Sequence, residues 1–233
     1  MTEKLKRFFV EKELSDELEI DEDLYHQLKN VLRMKIGDKY IFMNEKEIGE
    51  YQFYFGMKKS GIFNIINKSP LEQIDYNLDV YLSLLQREYL DFTVEKMGEI
   101  GVTSITPIIT RRSIQSINSN TLDRMKKLLY KGILQAEHNF FPTLNEPLEL
   151  KDIMPKTDNN FLLYERECKK SKINLSSKNV SILIGPEGGL ENIELDTMKD
   201  KGFHIVSPIN GVLKAETAAI IFAGYFKIMI DTY

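Results

Sequence analysis

The chain has 233 residues, 42% hydrophobic and 28% charged, a composition that excludes collagen-like, disordered and mucin-like chains and allows one large domain or two modest ones. With 31 basic against 35 acidic residues the formal charge is −4, which argues against coating naked nucleic acid by bulk charge and leaves room for a local basic face. The single cysteine, Cys168, cannot form an internal disulfide, and no Cys/His cluster has zinc-finger spacing, so the expectation is a cytoplasmic protein without metal.

In chain order, residues 7–10, 39–43, 51–55 and 61–66 are short, aromatic and β-branched, separated by Gly, Asn or charged turns, and are predicted strands. One helix interrupts them, starting after Asp21 and placing Leu24, Leu28, Val31 and Leu32 at helical spacing, with His26 packing it against the strands. A small β-barrel with one helix fits this region. After Pro70 strand and helix alternate: strand 80–85, helix 89–100 ending at Gly101, strand 104–109, helix 122–138, strands 161–164 and 181–184, helix 192–201, strand 203–206, and a last helix from Glu216. Alternation of this kind predicts a parallel sheet covered on both faces, an α/β domain. The boundary falls near residues 70–75, giving domains 1–72 and 73–233. The N-terminus has no apolar stretch of signal-peptide length, and residues 218–230 are too short for a bilayer and carry Lys227, so no membrane partner is expected.

Two segments carry the candidate chemistry. In LIGPEGGL, residues 183–190, an apolar strand runs into three glycines and a proline before a helix. Ligands in open α/β sheets sit at the carboxyl ends of strands, where glycine lets the backbone come close. A tight strand-to-helix turn without a ligand explains the same pattern. In NGVLKAETA, residues 210–218, an Asn-Gly turn precedes a helix start whose amides can receive a carboxylate or carbonyl oxygen. An ordinary helix capped through Glu216 and Thr217 is the alternative there. Neither GxGxxG nor GxxxxGK[ST] occurs, so dinucleotide and P-loop readings lose their main support.

Together, LIGPEGGL and LKAETA resemble the paired cofactor loops of the SPOUT methyltransferases, specifically the ribosomal RNA small subunit methyltransferase E family. The resemblance extends to RFFV at 7–10, HQLKNVLRMKIGD at 26–38, EKMGEIGV at 95–102, Arg112-Ser113 and Leu163-Tyr164-Glu165. It implies an N-terminal PUA-like barrel, a C-terminal α/β domain with a deep trefoil knot, a homodimer, and S-adenosylmethionine as methyl donor. By the same resemblance the pocket involves Leu163, Tyr164, Ile184, Gly185, Glu187, Gly188, Gly189, Leu213, Lys214, Thr217 and Ala218. The implied reaction is methylation of N3 of a uridine, position 1498 of 16S ribosomal RNA in the small subunit. This chain departs from the family pattern with Phe141 at a usually basic position, Gln86-Arg87-Glu88 before the first long helix, Pro208-Ile209-Asn210-Gly211 before the second loop, and Lys214 where arginine is usual.

Uracil N3 is a poor nucleophile until it loses its proton, so a general base or stabilising cations are needed. Glu216, Lys214 and Arg112 are the catalytic candidates. Between residues 111 and 131, six basic groups face one acid, Asp123. This run includes Arg111, Arg112, Lys126 and Lys127, which with Arg7 and Arg33 are the candidate RNA contacts. A SPOUT enzyme with another RNA target, a non-catalytic RNA-binding or ribosome-assembly protein, and a hydrolase using Glu165 and Glu187 are the competing readings.

Overall fold

A computed structural model describes residues 5–57, 59–113, 116–164, 173–207 and 211–233. The chain divides into two compact units, Met1–Gln73 with Glu137–Phe140, and Ile74–Ala136 with Phe141–Tyr233. The short return of 137–140 to the first unit is a feature that a single boundary near residue 70 does not contain. Among the described residues, no helix is long and apolar enough to cross a membrane.

The first unit is a five-stranded mixed sheet of β1 (Lys6–Phe9), β2 (Glu17–Ile20), β3 (Lys39–Met43), β4 (Glu47–Gly56) and β5 (Gly61–Pro70), in the order β1-β3-β4-β5-β2. Alternation puts Tyr40, Phe42, Tyr51, Phe53 and Phe63 on one face, where they close over Leu18, Ile20, Tyr25 and Leu28. The helix begins at Asp21, whose carboxylate accepts from the Leu24 amide at 2.8 Å. It is α-helical only over α1 (Glu22–His26) and continues as a π-helical turn, Gln27–Val31. The wider turn rotates the stripe: Leu28 is buried, whereas Val31 is 69% exposed and His26 points to solvent, so Tyr25 and not His26 packs the helix.

The phenols of Tyr40 and Tyr51 are pushed up to about 12, first by burial, then by Asp38 beside Tyr40 and by Glu47 and Asp16 beside Tyr51. Because these folded values lie above the ordinary value near 10, the stability they contribute is complete below pH 10 and is lost as pH rises through 12. The expected result is cooperative unfolding of this unit between about pH 10 and 12, with the late tyrosinate absorbance appearing together with loss of circular dichroism. A tyrosinate titration complete near pH 10 in the still-folded protein would contradict it.

The second unit holds a sheet of β6 (Asn77–Ser83), β7 (Ser104–Ile109), β8 (Thr143–Leu144), β10 (Asn159–Leu163), β11 (Asn179–Ile184) and β12 (His204–Val206), with β9 (Leu148–Glu149) also pairing with β7. The order is β12-β10-β11-β6-β7-β8 and every pairing is parallel. All carboxyl ends therefore emerge at one edge. Helix α4 (Asn192–Asp200) packs Leu195 and Met198 against Tyr81, Leu162 and Leu183. The alternate residues of the central strands face α5 (Ala215–Asp231), where Phe161 stacks on Phe226 with ring centres 4.8 Å apart. Helices α2 (Arg87–Ile100) and α3 (Ser119–Gln135) pack on each other, and α2 packs on α5.

Candidate functional site

At the carboxyl edge, acidic side chains tie successive loops together. Glu187 of the glycine loop accepts from the Gln86 amide through Oε1 at 3.0 Å, linking the end of β11 to the start of α2. Glu194, buried on the first turn of α4, accepts from two amides: its own Glu191 at 2.9 Å and Arg111 at 2.9 Å. It thereby fixes the loop after β7 onto the loop after β11. The β7 loop is itself a tight turn in which Ser113 Oγ accepts from the Thr110 amide at 2.9 Å. On the other side, the Tyr164 amide donates to Val206 O at 3.1 Å, joining the ends of β10 and β12.

Within the glycine loop, the Gly189 amide donates to Pro186 O at 2.8 Å, and Gly189 takes φ +69, a left-handed conformation that a side chain would strain. Gly188 lies close against Arg112: a Cβ there would lie 3.3 Å from Arg112 Cβ. Arg112 crosses the loop, donating from Nη1 to Gly188 O at 3.1 Å. Leu163 and Ile184 are buried beneath, while Gly185, Gly189 and Tyr164 are half-buried and Glu187 and Gly188 exposed.

The start of α5 supplies the remaining candidates. Its N-cap is Lys214, which has no acceptor and makes no side-chain cap. The first intrahelical bond runs from Ala218 to Lys214 O at 2.9 Å, and the preceding first-turn amides lie outside the helical ladder. The alternative of a helix capped through Thr217 and Glu216 is not what forms. Lys214 Nζ lies 5.4 Å above the Tyr89 ring on α2 and 3.9 Å from Glu216 Oε1, and the Glu216 side chain is only 11% exposed. Leu213, Thr217 and Ala218 are half-buried beside them. A cationic ligand with apolar and carboxylate ends fits this donor set: uncapped amides for an acceptor, a nearly buried carboxylate, and apolar strand ends.

The basic run is largely answered by acids from other segments. Arg124 meets Asp91 at 2.8 Å and Lys131 meets Glu95 at 2.9 Å, both on α2, and Arg111 and Arg112 approach Glu191 at 3.0 and 3.5 Å. Against Asp123, Asp91, Glu95 and Glu191, the six cations leave a smaller excess than the sequence alone suggests. Lys126 lies 5.5 Å over the Tyr130 ring, and Lys127 is exposed. In the first unit, Arg33 is exposed with φ +55, and half-buried Arg7 donates to Asn139 Oδ1 at 2.7 Å and His138 O at 3.2 Å. Burial lowers the Arg7 pKa. Phe141 packs on Tyr130 with ring centres 4.4 Å apart. Glu165, Cys168, Ile209 and Asn210 lie outside the described residues.

Sequence reasoning gave no site role to Gln86, Tyr89, Glu191 or Glu194. The acids at 191 and 194 have the i, i+3 spacing of a helix-capping box, but with Glu in place of Ser or Thr at its first position.

A family model described as an RNA methyltransferase domain matches residues 72–227. The chain is 26% identical over 231 residues to the ribosomal RNA small subunit methyltransferase E of Rickettsia conorii, covering 93% of each chain. It is 26% identical over 233 residues to ribosomal RNA small subunit methyltransferase E 2 of Borreliella burgdorferi, covering 91% of each. Among solved structures, ribosomal RNA small subunit methyltransferase E from Neisseria gonorrhoeae, bound to S-adenosyl methionine, superposes with TM-score 0.86 at 21% identity over 97% of this chain and 98% of that one. A methyltransferase from Legionella pneumophila, in complex with the same cofactor, gives TM-score 0.87 at 22% identity over the same shares. At these identities the superpositions establish the shared fold.

Proposed function

From the premise that this chain belongs to the RNA methyltransferase family, we propose that it methylates 16S ribosomal RNA in the small subunit, at N3 of uridine 1498, using S-adenosylmethionine. The observation that supports this reading is that both candidate segments reach the start of α2, the glycine loop through Glu187 on the Gln86 amide and the uncapped α5 start through Lys214 over the Tyr89 ring. The full-length likeness to proteins named for small-subunit RNA methylation favours that substrate over another RNA. In this reading residues 1–72 are a PUA-like RNA-binding domain, and residues 73–233 a SPOUT domain with a trefoil knot, acting in the cytoplasm.

When bound, the cofactor supplies an electrophilic methyl group, and the protein's main task is to align it with the attacking nitrogen. The first-turn amides of α5, the strand-end residues Leu163 and Ile184, and Leu213 just before α5 would hold it, with Gly185 and Gly188 allowing close backbone approach. In this reading Glu216 takes the N3 proton. Lys214, whose Nζ lies 3.9 Å from Glu216 Oε1, would stabilise the resulting uracil anion. Arg112 is the weaker catalytic candidate, because its guanidinium is already engaged by Glu191 and Gly188 O.

The proposed homodimer is supported by α5, which buries Phe222, Phe226 and Ile230 yet leaves Ile221, Tyr225 and Ile228 at 41%, 40% and 66% exposure along the opposite stripe. One set of measurements tests the whole reading. Calorimetric titration should give one S-adenosylmethionine site per chain in a protein that sediments as a dimer, and small subunits from a deletion strain should acquire N3-methyluridine on incubation. Cofactor binding without methyl transfer to any RNA would favour the non-catalytic assembly protein. Methylation confined to another RNA would move the substrate assignment, and a monomer would remove the dimer.

A further inference from the structure

We propose that Glu191 stands in for a substrate phosphate: it holds Arg111 and Arg112 in the free protein until the RNA backbone displaces it. Release of Glu191 then lets Arg112 exchange its contacts beside the glycine loop. The inference rests on the RNA methyltransferase reading above.

Two adjacent guanidinium groups converge on this one carboxylate, Arg111 Nη1 at 3.0 Å from Oε2 and Arg112 Nε at 3.5 Å from Oε1. The fold delivers that arrangement, because buried Glu194 accepts from the backbone amides of both Arg111 and Glu191 and so sets the two segments side by side. The side chains themselves stay accessible, 61% and 51% exposed for the arginines and 32% for Glu191. Ion pairs of this exposure are worth about 1 kcal/mol or less, so the hold is reversible. A phosphodiester offers the arginine fork the same paired-oxygen geometry as a carboxylate, and the polyanion adds long-range attraction that a single glutamate lacks.

Arg124 and Lys131 face acids on α2 within the α2–α3 packing. Within the basic run, release of Glu191 therefore frees two cations at one step. Arg112 also links this step to the cofactor loop, because its Nη1 donates to Gly188 O at 3.1 Å and its Cβ lies beside Gly188. An RNA phosphate that draws Arg112 away changes the immediate surroundings of residues 185–189, and the effect must be reciprocal: cofactor binding biases RNA binding by the same factor.

The test is Glu191→Gln, with Glu191→Ala beside it. Affinity for small subunits from a deletion strain would be measured across a salt series, with and without S-adenosylhomocysteine to prevent turnover. Melting temperature and S-adenosylhomocysteine affinity without RNA verify that each variant folds. The expected result for both variants is roughly three- to tenfold tighter RNA binding at low salt, with a log–log salt slope steeper by about one. Wild-type affinity and slope in Glu191→Gln, with the wild type still methylating RNA, would overturn the inference and leave the methyltransferase reading standing. Tightening in the alanine variant alone would also overturn it, since charge would not be the cause. A wild type that neither binds nor methylates small-subunit RNA would remove the underlying reading itself.

Discussion

Replacing Gly98 by alanine is expected to lower the melting temperature by roughly 6–12 °C, from a cost of about 3 kcal/mol at 2–4 °C per kcal/mol for a chain of this size. Sequence alone predicts the opposite sign, because glycine inside a helix is disfavoured relative to alanine by about 0.5–1 kcal/mol. The reversal comes from the crossing of α2 and α3. A Cβ on Gly98 would sit 2.2 Å from Leu129 O and 3.1 Å from Gly132 Cα, and a Cβ on Gly132 would sit 2.2 Å from Glu95 O. These are backbone atoms, so no rotamer change relieves the overlap and the helices must move apart. Separation would also stretch Arg124–Asp91 and Lys131–Glu95, which span the same interface. Differential scanning calorimetry decides the matter: an unchanged or raised melting temperature in Gly98→Ala would mean that the two helices do not approach this closely.

Where local pattern carries the information, sequence and structure agree closely. The strands at 39–43 and 104–109 fall at those residues, and α2 ends at Gly101, whose φ of +86 suits glycine. β2 was not legible: Glu17-Leu18-Glu19-Ile20 offers only two apolar residues, although both are buried. The two-residue strands β8 and β9 are too short to show a period. α3 starts at Ser119 because Asn118 accepts from the Thr121 amide at 2.9 Å, one of several capping side chains in that stretch. It ends at Gln135, before Glu137 takes a left-handed φ of +63 that nothing in its residue type announces.

The glycine loop stood out in the sequence because an apolar strand followed by Gly-Pro and Gly-Gly is dense in backbone signals. Its supports did not, because they come from far along the chain. The Gln86 amide reaches Glu187 across 101 positions and the Arg111 amide reaches Glu194 across 83. Such pairs leave no periodic trace. The basic run shows the same blindness, since its balance with Asp91 and Glu95 is set by helix packing across 33 and 36 positions.

That dependence on distant partners is sharpest at Glu194, the second site where a large effect is expected. The residue is 6% exposed, and its carboxylate accepts one amide with each oxygen, Arg111 on Oε1 and Glu191 on Oε2. Hydrogen bonds to a charged acceptor contribute about 1.5–3 kcal/mol each, and removing the acceptor leaves two poorly hydrated N–H groups. Glu194→Ala should therefore destabilise by about 3 kcal/mol, near the upper end for a single polar deletion. Glu194→Gln should fall between, because its amide keeps one acceptor oxygen but presents an N–H₂ group to the other backbone donor. The two loops that Glu194 fastens carry Arg112 and Gly188, so S-adenosylmethionine affinity should weaken in the same order, wild type above glutamine above alanine. Chemical denaturation and calorimetric titration on the three proteins give both rankings. If Glu194→Ala unfolded at the wild-type denaturant midpoint, the carboxylate would not be holding these loops, and the proposed clasp of Glu191 on Arg111 and Arg112 would lose its scaffold.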